Sequence, residues 1–339
     1  MKYLFLLTAL ALLLAGCSSN KGSSKTGERV KIIFDTDLGP DYDDVGALAL
    51  LHAMADSGKV EILATIASNK HPLVVPCIEI INGYFGRADL PLGAPKTKGV
   101  SLTAFQHWPD SLVAKYSHKT DSTGTAPDAV RVYRKILTSQ PDSSVTIVTV
   151  GFLTNLANIL KSQPDEVSAL NGQELVARKV KQLVSMAGSF PRGKEFNLDQ
   201  DSVASEYVLN EWPTNIIFTG FEIGAKIFTG LRIVNSDIIN SPVKDVFRIS
   251  IPLSEEDRYG RMSWDETAVL IAVYGADTFF DTVNGNIIVN PDGSNSWEDN
   301  QAGKHKYVKF KLTPEEIGKF IEARMVHQPV RKQNPVKSE

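Results

Sequence analysis

The stretch that decides the fold of this chain is rich in aspartate and lies between two apolar segments. It reads Phe34-Asp35-Thr36-Asp37-Leu38-Gly39-Pro40-Asp41-Tyr42-Asp43-Asp44-Val45-Gly46-Ala47-Leu48. A β-rich run (30–34) precedes the aspartates, and a helix-like run (45–54) follows them. In α/β proteins, ligands bind in the crevice outside the carboxyl ends of the strands. The stretch therefore predicts a strand, a ligand-binding loop and a helix, in that order.

The aspartates of this stretch favour a bound cation. Residues 35–44 contain five carboxylates, and like charges so close together repel one another unless a cation lies among them. Carboxylate oxygens are ligands for hard divalent ions, and Ca²⁺ accepts about six to eight of them. Helix capping and the helix dipole are the alternative explanation for Asp43 or Asp44. They do not explain why Asp35 and Asp37 end a strand, so we interpret the segment as a metal site.

Residues 1–17 have the pattern of a lipoprotein signal peptide. Lys2 supplies the positive charge, residues 4–14 form an apolar core, and Leu14-Ala15-Gly16-Cys17 resembles a bacterial lipobox. The alternative is an ordinary secretory signal with a chance cysteine. The apolar run is shorter than the ~20 residues of a spanning helix, and residues 18–27 are typical of a flexible tether. We therefore expect a lipid-anchored protein of the cell envelope, either periplasmic or outer-membrane.

The composition limits the function classes. A net charge of −3 without a basic cluster gives no electrostatic footprint for nucleic acid. Cys77 is the only cysteine after Cys17, so the folded part forms no intramolecular disulfide, and its apolar surroundings indicate an inert buried thiol. No repeat or break in composition divides the rest. We predict one domain over residues 28–328 and a disordered tail over 329–339.

Apolar β-rich runs alternate with helix-like segments along most of the chain. The predicted strands are 30–34, 60–67, 145–150, 181–186 and 215–219, and the predicted helices are 43–57, 72–85, 154–161, 202–210, 267–274 and 314–325. Val/Ile runs between amphipathic helices are typical of parallel strands that are covered on both faces. We predict an open, mostly parallel, doubly wound α/β sheet with a small C-terminal β extension (286–289 and 307–312). Segment 90–125 is long and irregular, and is a candidate rim or lid of an active site.

Polar residues recur where the predicted strands end, and together they resemble a known family. The blocks are Asp35-Thr36-Asp37, Asp43-Asp44, Thr65-Ile66-Ala67-Ser68-Asn69, Gly151-Phe152-Leu153-Thr154-Asn155-Leu156-Ala157, Glu195-Phe196-Asn197 with Asp201, and Trp264-Asp265. In this order they are similar to the inosine-uridine preferring nucleoside hydrolases, which are calcium-dependent N-ribohydrolases. The resemblance spans residues 31–325 and rests on the combination, since a lone Asp-x-Asp would not be specific.

The resemblance implies a Ca²⁺ site beside a ribose site. The residues that it assigns to the metal are Asp37, Asp44, Asp265 and, through its backbone carbonyl, Val150. The residues that it assigns to ribose hydroxyls are Asp43, Asn69, Glu195 and Asn197. Asp37 would also be the general base for water. The implied reaction releases free base and ribose from a nucleoside through an oxocarbenium-like sugar, as in other glycoside hydrolysis. Related folds often form dimers or tetramers, but the sequence identifies no interface.

The chain departs from the family pattern in two loops. The opening motif carries two extra residues, so Asp41 could substitute for Asp43 or Asp44. The loop 188–194 is shorter than usual and lacks a ribose-contacting Asn. The residues that could take its place are Ser189 and Arg192. An arginine near the ribose 5′ position would favour a phosphate or a larger 5′ substituent.

A further departure concerns the leaving base. Trp264 stands where many members carry a His that is proposed to protonate the base. It resembles the purine-preferring branch of the family, in which a Trp stacks on the base, and such a stack is worth about 1–3 kcal/mol. The alternative is that Trp264 is a packed aromatic residue. Trp108 could form the other side of a sandwich or pack in the core, and His71 is close enough to a strand end to line a pocket.

Two other functions fit parts of the pattern. A non-catalytic nucleoside-binding lipoprotein on the same fold would keep the calcium and ribose groups but lack leaving-group activation. A phosphohydrolase with an aspartate nucleophile would use the Asp-x-Asp of residues 35–37, with Thr149 and Lys181 as further groups, but no convincing second acidic pair follows. Retention of every predicted metal carboxylate favours the ribohydrolase.

Overall fold

A computed structural model describes residues 29–329. The predicted signal peptide, Cys17, the tether and nearly all of the predicted tail lie outside the described residues. Within residues 29–329, no helix is long and apolar enough to cross a membrane. Cys77 is a buried free thiol, as predicted, and burial raises its pKa above that of an ordinary cysteine.

The first half of the chain alternates strands and helices. Its elements are β1 (Val30–Thr36), α1 (Asp43–Asp56), β2 (Val60–Ala67), α2 (Val74–Tyr84), β3 (Leu92–Gly93), α3 (Trp108–Lys115), α4 (Ala129–Thr138), β4 (Val145–Thr149), α5 (Thr154–Lys161), α6 (Gly172–Lys179) and β5 (Val180–Met186).

The second half holds shorter helices and the antiparallel strands. Its elements are β6 (Arg192–Lys194), α7 (Phe196–Gln200), α8 (Ser202–Glu211), β7 (Asn215–Thr219), α9 (Phe221–Gly224), β8 (Phe228–Thr229), α10 (Leu231–Val234), α11 (Pro242–Ser250), β9 (Arg261–Met262), α12 (Asp265–Tyr274), β10 (Phe280–Val289), β11 (Ser294–Asp299), β12 (His305–Phe310) and α13 (Pro314–Met325).

Ten strands form one sheet in the order β3-β2-β1-β4-β5-β7-β12-β10-β11-β6. Neighbours from β3 to β12 pair in parallel, and the pairs from β12 to β6 are antiparallel. The predicted open, mostly parallel α/β sheet is therefore confirmed. The C-terminal extension belongs to the same sheet, because β12 pairs in parallel with β7.

Helices cover both faces of the sheet, as its apolar strands require. On β1, Ile32 and Phe34 point into one core, which contains α1, α2, α12 and α13. Ile33 points into the other core, which contains α4, α5, α6 and α8. Successive side chains of a strand alternate between faces, so each strand contributes to both cores. This double packing holds the carboxyl ends of β1, β4 and β5 at one rigid edge.

The structure corrects two expectations. Segment 90–125 is not irregular throughout, because it contains β3 and α3, and the side chain of Trp108 is fully buried. Helix α12 begins at Asp265 rather than Thr267, which places that carboxylate in the first helical turn. The predicted helix 314–325 is confirmed, and a capping box begins it: Thr313 and Glu316 each accept from the other's backbone N–H.

Candidate active site

A cavity of about 280 Å³ opens at the carboxyl ends of the parallel strands. Its volume is near the lower end of pockets that hold small molecules. Seven of the nine predicted site residues line it: Asp37, Asp43, Val150, Glu195, Asn197, Trp264 and Asp265. They come from four separate segments of the chain. Three of these follow parallel strands that end at one edge of the sheet, and the fourth is the start of α12. The two others, Asp44 and Asn69, are buried and do not line the cavity.

Asp44 is buried behind Asp37, in the first turn of α1. One of its oxygens, Oδ1, accepts from the Thr36 hydroxyl and from the Leu38 backbone N–H, the latter at 3.0 Å. The other oxygen, Oδ2, has no hydrogen-bond partner among residues 29–329. Buried polar atoms are almost always paired. An unpaired carboxylate oxygen at this position is therefore suited to an additional ligand.

Asn69 follows β2, and its side-chain amide holds two loops together. The amide nitrogen donates to the backbone carbonyls of Gly39, at 2.6 Å, and Leu102, at 2.9 Å. The amide oxygen accepts from the backbone N–H groups of His71 and Leu102, each at 3.0 Å. All four hydrogen-bonding positions of an Asn side chain are thereby used. In this arrangement Asn69 braces the acidic loop, and its predicted contact with ribose stays a prediction.

The carboxyl groups around the cavity raise one another's affinity for protons. The pKa of Asp37 lies well above the ordinary value, because of burial and of the charges of Asp44 and Asp41. The pKa of Asp265 is also raised well above that value, first by burial and then by Asp43 and Asp44. Like charges in a buried site disfavour ionisation, so these groups lack sufficient positive charge around them.

Arg261 is the cation that sequence reasoning missed. Its guanidinium donates to Asp43 Oδ1 from Nε, at 3.1 Å, and from Nη2, at 3.0 Å. Nη2 also donates to Asp41, and Nη1 lies 3.7 Å from Asp257 Oδ1. Burial lowers the pKa of Arg261, but these three carboxylates raise it further, so the net shift is upward.

Arg261 also shows how the longer acidic loop is held in place. Asp43 accepts from the backbone N–H groups of Trp264 and Asp265 as well, at 3.1 and 3.3 Å. The loop is thereby fastened to the start of α12 through Asp43. Asp41 pairs with Arg261 and does not take the place of Asp44 behind Asp37.

Glu195 and Asn197 are held rigidly at the start of α7. Glu195 caps the helix: its oxygens accept from the backbone N–H groups of Gly188 at 3.0 Å, Asn197 at 2.8 Å and Leu198 at 3.2 Å. Burial nonetheless raises the pKa of Glu195 to about 7, with the backbone donors opposing the shift. The Asn197 amide donates to the Val150 carbonyl at 3.1 Å. Both side chains keep one face toward the cavity.

Asp35 is buried near the end of β1, and its hydrogen-bond partners are neutral. Tyr133 and Asn155 donate to its Oδ2, at 2.8 and 3.0 Å. Burial raises the pKa of Asp35 to about 7, and these two hydrogen bonds reduce the shift. Asn155 belongs to the Leu-Thr-Asn block that the sequence singled out, but Tyr133 comes from α4, which the sequence reading did not predict.

Aromatic side chains form one wall of the cavity. The rings of Trp264 and Phe221 stack at 5.4 Å between centroids, and the Trp264 indole donates to the Phe221 carbonyl at 2.8 Å. Trp264 is half-buried, so it is both packed and partly open to the cavity. Trp108 is not a second wall: its indole donates to the Asp41 carbonyl at 3.1 Å from within the core.

The other candidates from the sequence do not reach the cavity. Arg192 is exposed on β6, and Ser189 exchanges backbone hydrogen bonds with the Asn295 side chain. His71 is half-buried, its backbone N–H is bound to Asn69, and it is absent from the cavity lining.

The donor chemistry of this edge fits a hard divalent ion. Three carboxylates and one backbone carbonyl come together there: Asp37, Asp44, Asp265 and Val150. Oxygen donors are the ligands of Ca²⁺, and the unpaired Asp44 oxygen and the mutually raised pKa values indicate missing positive charge. Within residues 29–329, however, no three His, Cys, Asp or Glu side chains are already arranged as a metal-ligand group.

Comparisons with known proteins agree on one family. The sequence model of the family described as "Inosine-uridine preferring nucleoside hydrolase" matches residues 32–318. The inosine-uridine preferring nucleoside hydrolase of Leishmania major is 24% identical over 204 residues, which are 57% of this chain and 60% of that protein. The chain thus spans about 60% of the length of the curated relatives that it matches.

Solved structures share the fold at low identity. A plant nucleoside hydrolase, PpNRh1, superposes with a TM-score of 0.68 and 18% identity, covering 88% of this chain and 99% of its own. A purine-preferring ribonucleoside hydrolase from Gardnerella vaginalis gives 0.67 and 17%, covering 87% and 98%. Such likeness shows the fold alone. With the family match over most of its length, the chain belongs to the inosine-uridine preferring nucleoside hydrolase family, a family of N-glycosyl hydrolases.

Proposed function

We propose that this protein hydrolyses the N-glycosidic bond of ribonucleosides, giving free base and ribose. The observation that carries the proposal is the convergence of Asp37, Glu195, Asn197 and Asp265 on one small cavity. Carboxylates and an amide at this spacing supply hydrogen-bond acceptors and a donor for a sugar, together with a base for water. Membership of the family supports the same activity.

The proposed mechanism uses the groups of this chain as follows. Asp37, at the cavity wall, accepts the proton of the attacking water. Glu195 and Asn197, whose backbone contacts fix their orientation, hold ribose hydroxyls. The surrounding carboxylates stabilise positive charge that develops on the sugar in the transition state. The buried position of these groups makes this stabilisation stronger than it would be in water.

We also propose that Ca²⁺ is the cofactor. Asp37, Asp44, Asp265 and the Val150 carbonyl would hold it, and the unpaired Asp44 oxygen supports this assignment. The bound ion would orient water and lower its pKa. Because these side chains are not already drawn together as a ligand group, the proposal requires them to close around the ion, and added Ca²⁺ should then stabilise the fold.

We further propose that purine nucleosides are preferred over pyrimidine nucleosides. This preference is supported by Trp264, whose partly exposed ring lies at the cavity wall and offers a stacking surface. A purine presents a larger π-face than a pyrimidine, and base stacking on an aromatic ring contributes ~1–3 kcal/mol. We therefore expect inosine to be a better substrate than uridine.

Release of free base from the full chain tests the function. Inosine, adenosine, uridine and cytidine would be incubated with Ca²⁺ or with a chelator, and the products separated by chromatography. Calcium-dependent release is expected, and Asp37→Asn should lower kcat by about 10²–10⁴-fold, the usual contribution of a general base. The Asp37→Asn variant should fold at least as stably, because it removes one of several repelling charges.

Asp142→Asn is the matched control. Asp142 is a surface carboxylate that pairs with Arg178 and Lys179, away from the cavity. Its loss should leave the rate of base release unchanged. If a folded, Ca²⁺-binding protein released no base from any nucleoside, the hydrolase proposal would fail and a binding-only role would replace it.

The cellular location is proposed from the sequence alone. We propose that the protein is anchored in the cell envelope, periplasmic or outer-membrane, by a lipid on Cys17. The lipobox-like Leu14-Ala15-Gly16-Cys17 supports this. Cys17→Ser should abolish incorporation of labelled fatty acid and release the protein from membranes, whereas an unlabelled wild-type chain would contradict the anchor.

A further inference from the structure

Tyr42 is a buried member of the acidic loop, directly before α1. Its ring packs edge to face against Phe247 of α11, with 5.2 Å between the ring centroids. The same ring lies 5.0 Å from the guanidinium carbon of Arg261, within the range of a cation–π contact. The Tyr42 hydroxyl donates to Asp257 Oδ2 at 2.7 Å. Tyr42 therefore contacts Arg261 with its ring and fixes a neighbouring carboxylate with its hydroxyl.

Asp257 is the only buried residue of the segment 252–259, in which the other residues are exposed or half-buried. A carboxylate is costly to bury unless its oxygens are bound. Among residues 29–329, the Tyr42 hydroxyl gives the Asp257 side chain its only hydrogen bond. The other oxygen, Oδ1, lies 3.7 Å from Arg261 Nη1. The hydrogen bond from Tyr42 thus keeps Asp257 inside the protein, next to Arg261.

Arg261 connects this buried pair to the cavity. Neither Tyr42 nor Asp257 lines the cavity, but Arg261 does. The guanidinium carbon of Arg261 lies 5.0 Å from the ring centre of Trp264, which also lines the cavity. The guanidinium donates twice to Asp43, and Asp43 accepts from the Trp264 backbone N–H at 3.1 Å. Both the ring and the backbone of Trp264 therefore depend on the position of Arg261.

We infer that Tyr42 and Asp257 are positioning residues for binding of the base. Their hydrogen bond holds Arg261 in place, and Arg261 in turn holds Trp264 at the cavity wall. The inference rests on the proposed ribohydrolase function and adds to it two residues that do not touch the substrate. A binding side chain is precise only when its supporting contacts lock it in place. Loss of the hydroxyl should therefore weaken binding of the base and spare the ribose side, whose groups at the start of α7 have separate backbone contacts.

Tyr42→Phe in the full chain tests the inference, because it removes the hydroxyl and keeps the ring. The two products of the proposed reaction, hypoxanthine and ribose, separate the base side from the ribose side when each is used to inhibit inosine hydrolysis. We expect the KM for inosine and the inhibition constant of hypoxanthine to rise about three- to tenfold, in line with the loss of one buried hydrogen bond. The inhibition constant of ribose should change less than about twofold.

Two further variants show whether the hydrogen bond itself is responsible. Asp257→Asn keeps a side-chain oxygen that accepts from the Tyr42 hydroxyl, so it should retain most of the affinity for inosine and hypoxanthine. Tyr116→Phe is the matched control: the Tyr116 hydroxyl donates to Asp245 Oδ2, also at 2.7 Å, and neither residue lines the cavity. This variant should lower the free energy of unfolding without changing KM or either inhibition constant.

Two results would overturn the inference and leave the hydrolase proposal intact. One is an equal rise of the inhibition constants of hypoxanthine and ribose in Tyr42→Phe, which would indicate a general disturbance of the site. The other is an unchanged KM for inosine in Tyr42→Phe, as expected for Tyr116→Phe, which would make the Tyr42 hydroxyl merely structural. Failure of the wild type to release base from any nucleoside would overturn both proposals.

Discussion

Two buried arginines of this protein are surrounded by very different numbers of acids. Arg134, on α4, makes two parallel hydrogen bonds to Asp165, at 2.9 and 2.8 Å. It also donates to Ser162 Oγ and to the backbone carbonyls of Ser168 and Leu170, at 2.9–3.0 Å. Arg261 lies instead among three carboxylates, those of Asp41, Asp43 and Asp257.

The number of carboxylates around each arginine distinguishes a structural ion pair from a binding site. One guanidinium facing one carboxylate leaves no net charge, and such a pair needs nothing from outside. One guanidinium facing three carboxylates leaves an excess of negative charge, which is costly in a buried setting. A bound cation would balance that excess. Charge imbalance, rather than the number of acidic residues, thus marks the functional edge of the sheet.

Removing each arginine should produce the largest contrast. Arg261→Met leaves three carboxylates without a counter-ion, and we expect a loss of about 3–5 kcal/mol in the free energy of unfolding. We also expect kcat/KM to fall more than about tenfold, since Arg261 holds Asp43 and, through it, the start of α12. Urea unfolding and nucleoside hydrolysis measure the two effects, and Arg261→Lys should restore part of the stability.

Arg134→Met is the matched variant. It should also lower the free energy of unfolding, because it leaves the Ser168 and Leu170 carbonyls without a donor. The kcat/KM of its folded fraction should not change. An equal loss of kcat/KM in both variants would remove the distinction between the structural and the functional arginine.

The sequence alone predicted five of the parallel strands of the sheet, β1, β2, β4, β5 and β7, but not the short β3. The strands 60–67 and 215–219 and the helices 154–161 and 314–325 were predicted with their observed ends. Local apolar patterns determine them, and helix 314–325 also has a capping box. β11 was missed, since its sequence Ser-Asn-Ser-Trp-Glu-Asp has no apolar run and forms a strand only by pairing with β10 and β6.

The site could be predicted only in part, for a similar physical reason. Residues that follow strands were placed correctly at the cavity because the sheet edge brings them together. Arg261 was missed because its partners Asp41 and Asp43 lie 220 and 218 positions away in the chain. No local pattern reports such a pairing. Asn69 shows the opposite problem: it follows β2 as predicted, but it does not line the cavity, and its hydrogen bonds are used within the loops.

The pH dependence of stability should differ between a carboxylate with neutral partners, Asp35, and one that pairs with an arginine, Asp165. The pKa of Asp35 is about 7 in the folded protein, against 3.8 in the unfolded chain. The folded state therefore keeps this proton up to a higher pH. Between pH 4 and 7, roughly, this group makes the fold less stable as pH rises, by at most about 4 kcal/mol in all. The free energy of unfolding of Asp35→Asn should therefore rise relative to the wild type as pH increases over that range. Urea unfolding in the presence of a chelator, which removes bound metal, measures it.

Asp165 should behave in the opposite way. Its hydrogen bond to Arg134 lowers its pKa to about 2, so its contribution is present at neutral pH and is lost as pH falls through that value. Asp165→Asn should lose stability near pH 7 and approach the wild type in acid. If the unfolding free energies of the two variants changed with pH in the same way, the proposed difference in charge balance around the two carboxylates would be wrong.

The aromatic neighbour of Arg261 gives the smallest expected effect. The guanidinium packs 5.0 Å from the Trp264 ring centre, so part of that ring is engaged in structure and part faces the cavity. Trp264→Leu should raise KM by about 5- to 100-fold, the equivalent of ~1–3 kcal/mol of lost stacking, with a smaller change in kcat. Trp264→Phe should keep most of the affinity, because a smaller ring can still stack. If Trp264→Leu lowered only the unfolding free energy and left KM unchanged, the ring would serve to pack Arg261, and the base would be held by Phe221 and Phe196 instead.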